Sequence, residues 1–450
     1  MPKKKREQVG FYTEDELQPL QNRNVQIPSL SHVCIGREVP LENIGTGVVL
    51  HPFCKIIGDK TKIYSKAQVG LRGPVTLENS IVGKESVIGS QGPVTLVDTV
   101  TGPKTVLGSG VAESAVFLGK ETDINDFSTG LGFRTRKGSL YEEDSSSAQH
   151  TDTKMTILFP WVTLGSNINF CDLMLTGGVG PNLGDFTEVG SGTIHFNFTI
   201  RGDKATASLL GNVPEGVFLR KERLFIGGNN SLLGPLQADF GTLTAAGIRA
   251  AGVLKNGLNL GRGLPLGHTD YDPRIFSRSK EVIGQQVHYI GQLAALYHWY
   301  REIRFQLAQS NPELLELYQA GQKMVVLNIM ERIAQVGRFV EALESSIHIL
   351  NQQALPPRHA IEEQQALLDH WPRLKEHLEN YEQHFWEIPS LLSNALEESA
   401  AQHSPHYTQI VQNLSEDSAR VGKSWLDSIV HRCEIFFKSE LKIEHPRDDK

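Results

Sequence analysis

Aliphatic residues recur at every sixth position through a long stretch of this 450-residue chain. A helix repeats every 3.6 residues and a strand every two, so neither element alone produces a period of six. Hexapeptide repeats are typical of a parallel β-helix, in which short strands stack turn upon turn and one side chain per hexad fills the interior. The repeat residues form three runs separated by one-residue slips: Ile44, Leu50, Ile56; Ile57, Ile63, Val69, Val75, Ile81; and Val82, Ile88, Val94, Val100, Val106, Ala112, Leu118, Ile124.

Further hexads extend the pattern along the chain. "LGDFTE" and "VGSGTI" adjoin from Leu183 to Ile194, with Val189 and Ile194 predicted to face the interior, and "IGGNNS" begins at Ile226. The sequence therefore predicts a β-helix over residues 31–265, preceded by a flexible segment, 1–30. The charged stretch 134–153 and the stretch 212–223 interrupt the hexads, and both are expected to loop outside the wall.

The second half of the chain has helical periodicity. Apolar residues from Ile283 to Ile303 recur at spacings of three and four, as on one face of a long helix. Asn311 is a plausible N-cap, with Pro312 at the first helical position. Further amphipathic segments cover about 360–383, 388–402 and 405–440. We predict an α+β multidomain chain, a parallel β-helix followed by an α-helical bundle domain over 266–450.

Composition excludes several classes of protein. The net charge of −7 argues against a dedicated nucleic-acid binder, which needs a basic surface. No stretch approaches the ~18 apolar residues of a membrane span. The four cysteines lie far apart without CxxC spacing, which fits a reducing cytoplasm. The histidines show no metal-ligand spacing, so no metal site is expected.

Three segments carry a resemblance to a known family: "VGSGTIHFNFTIRGDK", "FIGGNNSLLGP" and "TAAGI". They are similar to IGAGTI-x-x-NYDG-x-x-K, F-[IV]-G-S-x-x-x-L-x-A-P and AAGTT of the acetyltransferase domain in the bifunctional N-acetylglucosamine-1-phosphate uridyltransferase / glucosamine-1-phosphate acetyltransferase family. This resemblance covers about half of the chain. It implies a left-handed β-helix, a homotrimer with active sites between subunits, acetyl-CoA as donor, and a sugar phosphate or nucleotide sugar as the other ligand.

The family's functional residues map unevenly onto this sequence. Its general-base histidine falls on Asp172, and its substrate tyrosine and lysine fall on Leu175 and near Pro160. A carboxylate could replace the histidine only if burial raised its pKa well above ~4. The uridyltransferase domain is absent. The resemblance implies substrate contacts at Arg136, Glu188, Asn197 and Lys204, and coenzyme contacts at Ser191, Gly228 and Ala246.

Two functions of different classes follow. The first is a hexapeptide-repeat transferase related to UDP-N-acetylglucosamine biosynthesis, which binds a phosphorylated or nucleotide-linked amino sugar and transfers an acyl group from acyl-CoA. The alternative is a non-catalytic, trimeric β-helix scaffold whose helical domain binds a protein partner. Convergence of Arg136, Asn197 and Lys204 on one cleft between subunits would favour the transferase, and their separation would favour the scaffold.

Overall fold

The computed structural model describes residues 10–122, 128–261, 271–276, 278–383 and 387–441. A parallel β-solenoid of about 12 turns occupies residues 34–259, and a region of packed long helices follows over 279–440. The predicted order of a β-helix followed by an α-helical region is confirmed. The predicted interior residue Ile124 lies outside the described residues.

A short helix precedes the solenoid, within the segment 1–30. Helix α1 (Glu14–Gln21) begins at a capping box in which the Thr13 hydroxyl and the Glu16 carboxylate bond each other's backbone amides. Two residues of this helix, Leu17 and Leu20, are buried. The chain then forms a parallel bridge from Gln26 to Val49, so the described part of this segment is tied to the solenoid.

The solenoid strands are short, and every pairing between them is parallel. In chain order they are β1 (Cys34–Ile35), β2 (Val49–Leu50), β3 (Lys55–Ile57), β4 (Lys62–Ile63), β5 (Gln68–Val69), β6 (Val75–Glu78), β7 (Ile81–Val82), β8 (Val87–Ile88), β9 (Val94–Val97), β10 (Val100–Thr101), β11 (Val106–Glu113), β12 (Val116–Phe117), β13 (Thr129–Thr135), β14 (Leu140–Tyr141), β15 (Ser146–Ser147), β16 (Asp152–Leu158), β17 (Thr163–Leu164), β18 (Asn169–Leu175), β19 (Glu188–Val189), β20 (Ile194–Phe196), β21 (Ser208–Leu210), β22 (Phe225–Ile226), β23 (Ser231–Ala238), β24 (Thr242–Thr244), β25 (Arg249–Leu254) and β26 (Gly257–Asn259).

These strands form three parallel ladders, because each turn contributes one stretch of strand to each ladder. One ladder begins β1–β3–β6–β9, a second begins β4–β7–β10–β12–β14, and the third begins β2–β5–β8–β11. We call the second one the helix-facing ladder, because α5, defined below, packs on its strands β10, β12 and β14.

The spacing of partners explains the one-residue slips of the hexad pattern. Ile63 pairs with Val82, 19 positions later, so an early turn holds three hexads plus one residue. The slip therefore recurs in every such turn. The burial of the predicted interior residues is confirmed for Ile44, Leu50, Ile56, Ile63, Val69, Val75, Val82, Ile88, Val94, Ala112 and Leu118. The prediction is wrong for Ile57, Ile81, Val100 and Val106, which are half-buried. Thr101 is buried instead of Val100, and Leu107 is buried instead of Val106.

The two predicted insertions differ in outcome. Residues 134–153 do not loop outside the wall, because they supply the end of β13, all of β14 and β15, and the start of β16. Their charged residues misled the prediction, since Glu142 and Glu143 are buried against side chains of the helical region. Residues 212–223 do leave the ladders, and they contain the short helix α2 (Val213–Gly216).

The helical region contains long and short helices: α3 (Ser279–His298), α4 (Phe305–Leu307), α5 (Pro312–Asn351), α6 (Arg358–Glu379), α7 (Ser390–His403), α8 (Tyr407–Gln412) and α9 (Glu416–Glu440). The predicted N-cap of α5 is confirmed, because the Asn311 side chain accepts the Leu314 amide at 3.2 Å. The single segment predicted over 405–440 is two helices, α8 and α9. A π-helical turn, Trp299–Arg304, joins α3 to α4. Among the residues described, no helix is both long enough and apolar enough to span a bilayer.

Candidate functional site

Asp172, where the resemblance places a general base, is buried at a bend within β18. Its backbone has a φ of +57°, and only 6% of the residue is exposed. One carboxylate oxygen accepts a hydrogen bond from Arg332 Nη2 at 2.7 Å. The other accepts from the Asn197 side-chain amide. Both oxygens of Asp172 are therefore engaged by neighbouring side chains.

Arg332 reaches this position from helix α5. It is 2% exposed, and its Nη1 also donates to the backbone carbonyl of Lys204 at 2.9 Å. Burial beneath α5 leaves an acceptor amine no open approach to the Asp172 carboxylate. We call Asp172, Arg332, Asn197 and Lys204 the Asp172 cluster. Its bonds join helix α5 to the solenoid, and Asp172 lacks the access to solvent and substrate that a general base requires.

His195 lies close to the Asp172 cluster, and the sequence did not predict its position. Its Nδ1 donates to the Cys171 carbonyl at 2.6 Å, and its Nε2 accepts from the Ser208 hydroxyl at 2.7 Å. Burial lowers the pKa of His195 to about 4, so the ring is neutral. The prediction that Ile194 faces the interior is wrong. Ile194 is exposed and His195 points inward, because the strand alternates one residue out of the expected phase. With both nitrogens bonded, His195 does not replace the missing base.

Three of the four predicted substrate residues lie near Asp172, where they bond to other residues of the chain. Asn197 and the Lys204 backbone belong to the Asp172 cluster. Arg136 lies beside it, with Nε bonded to Asp152 at 2.7 Å and Nη2 at 3.2 Å from the Cys171 sulfur. Glu188 lies apart from them, in β19 of the third ladder.

The predicted coenzyme residues stack at one corner of the solenoid. The Asn229 amide donates to the Ser191 carbonyl at 2.7 Å, and the Gly247 amide donates to the Gly228 carbonyl at 2.8 Å. Ser191, Gly228 and Ala246 therefore stand on three successive turns. Ser191 and Ala246 are exposed. This corner precedes strand β20, whereas Asp172 lies between the part of β18 that pairs with β20 and the part that pairs with β21. The two sites therefore lie at opposite ends of the strands on one face of the solenoid.

A second buried polar cluster joins the solenoid to the π-helical turn. Arg304 is fully buried and donates to both carboxylate oxygens of Glu143, at 2.6 and 3.1 Å. Its guanidinium lies 3.6 Å from the centroid of the Tyr407 ring. Glu142 accepts from the Tyr300 hydroxyl at 2.5 Å. Burial raises the pKa of Glu142 to about 7, partly offset by the Arg304 charge. π-Helical turns are frequent at functional sites, although here the turn also delivers Arg304 to its partners.

Two of the spaces between the helices and the solenoid are described by their lining residues. One, of about 330 Å³, lies between the start of α5 and the helix-facing ladder. We call it the junction cavity. The other is a polar cleft of about 710 Å³ between the last turns and helices α3 and α9. In this cleft His288 Nδ1 lies 2.6 Å from Glu434, and the imidazole lowers the pKa of that carboxyl.

Within the described ranges, no three histidine, cysteine, aspartate or glutamate side chains are grouped so as to hold a metal ion. Neither a protein-family model nor any curated protein matches this chain.

Proposed function

We propose that this chain is a non-catalytic β-solenoid platform that assembles with partners, and that its transferase-like site has become part of the internal packing. The observation that supports this proposal is the buried Asp172–Arg332 pair. It places a buried, ion-paired carboxylate where the similar family has a proton-accepting histidine. Loss of a positioned general base typically costs 10²–10⁴ in rate.

The surroundings of Asp172 also support the platform. The Asn197 side chain, which the resemblance assigns to substrate, donates to Asp172 instead, and the backbone carbonyl of Lys204 accepts from Arg332. Acyl transfer would require α5 to move away from the solenoid and leave a charged pair separated.

Assembly is supported by exposed apolar residues near the same turns. Phe196, Phe198 and Ile200 are 47%, 73% and 73% exposed. Large apolar side chains that lie close together on a surface commonly mark a protein contact. We propose that they contribute to the homotrimer that the resemblance implies.

The transferase is the second candidate, because the coenzyme corner keeps an exposed stack of small residues on three turns. Acyl-CoA bound at this corner would have no site for an acceptor amine beside it, because Asp172 and Asn197 are bonded within the protein. Transfer to an amino sugar phosphate, such as glucosamine 1-phosphate, would instead require Asp172 to be released from Arg332.

Acetyl transfer separates these functions, and coenzyme binding shows whether the coenzyme corner still holds a ligand. Purified protein is titrated calorimetrically with acetyl-CoA, and acetylation of glucosamine 1-phosphate is followed by thiol release. The platform predicts no turnover in the wild type, whether or not heat is observed with acetyl-CoA. Turnover that falls at least tenfold in Asp172→Asn would overturn it and establish the transferase.

A further inference from the structure

The junction cavity lies where the helical region begins to cover the helix-facing ladder. An outward row of aliphatic residues runs along that ladder, each paired with the next: Ile81, Val100, Val116 and Leu140. Val116 and Leu140 are 1% and 0% exposed, whereas Ile81 and Val100 are half-buried. Apolar surface of the two earlier turns therefore faces the cavity, which has a volume of about 330 Å³.

Helix α5 supplies apolar walls on the other side of the cavity. Leu314, Leu317 and Tyr318 line it from this helix, and Pro103 lines it from the solenoid. A space of this volume between two structural units is within the range of small-molecule sites. Its walls favour an apolar ligand, since burial of apolar surface contributes about 25 cal/mol per Å².

Two carboxyl groups line the cavity on the solenoid side, and both have partners within the protein. Glu143 is buried and accepts two bonds from Arg304, at 2.6 and 3.1 Å. Glu121 accepts the Tyr407 amide at 2.6 Å and the Thr408 amide at 3.0 Å. Burial, together with the charge of Glu143, raises the pKa of Glu121 to about 8, so this carboxyl is mostly uncharged at neutral pH. Neither group offers an unpaired charge to a ligand.

The lysines that line the cavity are compensated as well. Glu85 also lines it, and the ammonium groups of Lys66 and Lys84 lie 3.5 and 3.9 Å from this carboxylate. Strand β10 pairs with β7 in a register that places Lys104 one turn above Glu85. Lys104 and Lys120 both have partners in the structure. Positive and negative side chains therefore alternate at this part of the cavity.

The two acids of α5 that line the cavity also have partners. Glu316 is bonded by the Tyr64 hydroxyl at 2.6 Å and by Lys62 at 3.2 Å. Glu313 accepts the Lys84 amide at 3.4 Å. A charged ligand would lose its hydration and find no unpaired opposite charge among these residues, which is costly in a partly buried site. An uncharged ligand avoids that cost and still covers the apolar walls.

We propose that the junction cavity binds a small, uncharged and largely apolar molecule. The molecule lies between Val100 of the solenoid and Leu314 of α5. Because these walls belong to both structural units, a bound molecule holds the start of α5 on the helix-facing ladder. The cavity shares no lining residue with the Asp172 cluster, so its test does not depend on whether acyl transfer occurs.

Matched probes test this proposal by calorimetric titration of the full chain at pH 7.5. The uncharged probes are indole and 1-hexanol. The charged controls keep the same ring or chain: indole-3-acetate and tryptamine for indole, and hexanoate and 1-aminohexane for 1-hexanol. Titrations are run at 10 and 30 °C, because burial of apolar surface changes the heat capacity and the heat of binding cannot vanish at both temperatures. We expect at least one uncharged probe to bind at least tenfold more tightly than both of its charged controls.

Two cavity variants and one control variant complete the test. Leu314→Trp fills the cavity and should abolish binding, whereas Gln319→Trp, on the exposed side of the same helix, should leave binding unchanged. Val100→Thr keeps the shape of the wall but replaces a methyl group by a hydroxyl, and it should weaken binding at least threefold.

Three results would overturn the proposal. They are the absence of heat at both temperatures with both uncharged probes up to 10 mM, equal affinity for an uncharged probe and one of its charged controls, and equal binding in Leu314→Trp and the wild type. If circular dichroism shows that Leu314→Trp does not fold, equal binding in Val100→Thr and the wild type overturns it instead.

Discussion

Replacement of Arg332 by methionine should strongly destabilise the protein. The change removes the 2.7 Å bond to Asp172 and the 2.9 Å bond to the Lys204 carbonyl, and it leaves Asp172 as a buried carboxylate without its cation. Breaking a buried ion pair by removing one partner costs about 3–5 kcal/mol. The side chains of Asp172 and Arg332 are 7% and 2% exposed, so solvent would do little to reduce this cost.

The destabilisation is measured by urea titration followed by circular dichroism, with the shift in midpoint multiplied by the slope. Arg338→Met on the same helix is the control. Its side chain is 54% exposed and its nearest carboxylate, Glu331, lies 3.9 Å away, so its loss should cost no more than ~0.5 kcal/mol.

A double variant tests whether the cost comes from the unpaired charge. Asp172→Asn combined with Arg332→Met removes both charges, and it should recover at least half of the stability lost in Arg332→Met alone. A loss below ~1 kcal/mol in Arg332→Met would refute the reasoning. It would mean that Arg332 of α5 is not paired with Asp172 in solution. Asp172 would then be available as a general base, and the transferase would become the favoured function.

Three further outcomes are expected. Stability should fall as pH rises from 6.5 to 8.5, because a carboxyl whose pKa is raised, as that of Glu121 is to about 8, binds its proton more tightly in the folded state than in the unfolded state. Below pH 6.5 the neutral His195, with its pKa lowered to about 4, should oppose this slope and flatten it, and thermal melting across pH shows the change. Gly102→Ala should lower the melting temperature by several degrees, since its Cβ would lie 2.1 Å from the Leu118 carbonyl oxygen. The wild type should elute with three times the chain mass by light scattering, and Phe198→Asp should lower that mass; a monomeric wild type would contradict the trimer.

The sequence was sufficient for the architecture of this protein. The hexad period and the helical stripes that follow it predicted a solenoid and then a helical region, because each depends on local spacing of apolar side chains. The N-cap at Asn311 was predictable for the same reason, since a cap bonds an amide three residues away. The phase of single residues was less secure. Ile81 and Val82 are both aliphatic, and only the 19-residue turn decides which of them is buried.

The tertiary structure alone showed which side chains surround the predicted site. Arg332 lies 160 positions after Asp172, and no local pattern relates a helical arginine to one bend of the solenoid. The acidic stretch 142–144 looked like a solvated loop for a similar reason, because its cation Arg304 is 161 positions from Glu143. Buried charges require partners, and a fold supplies them from distant parts of the chain. Charged residues therefore misled the prediction where they are buried. The apolar repeat, which needs only its neighbours in the chain, predicted the solenoid and was wrong only in the phase of single residues.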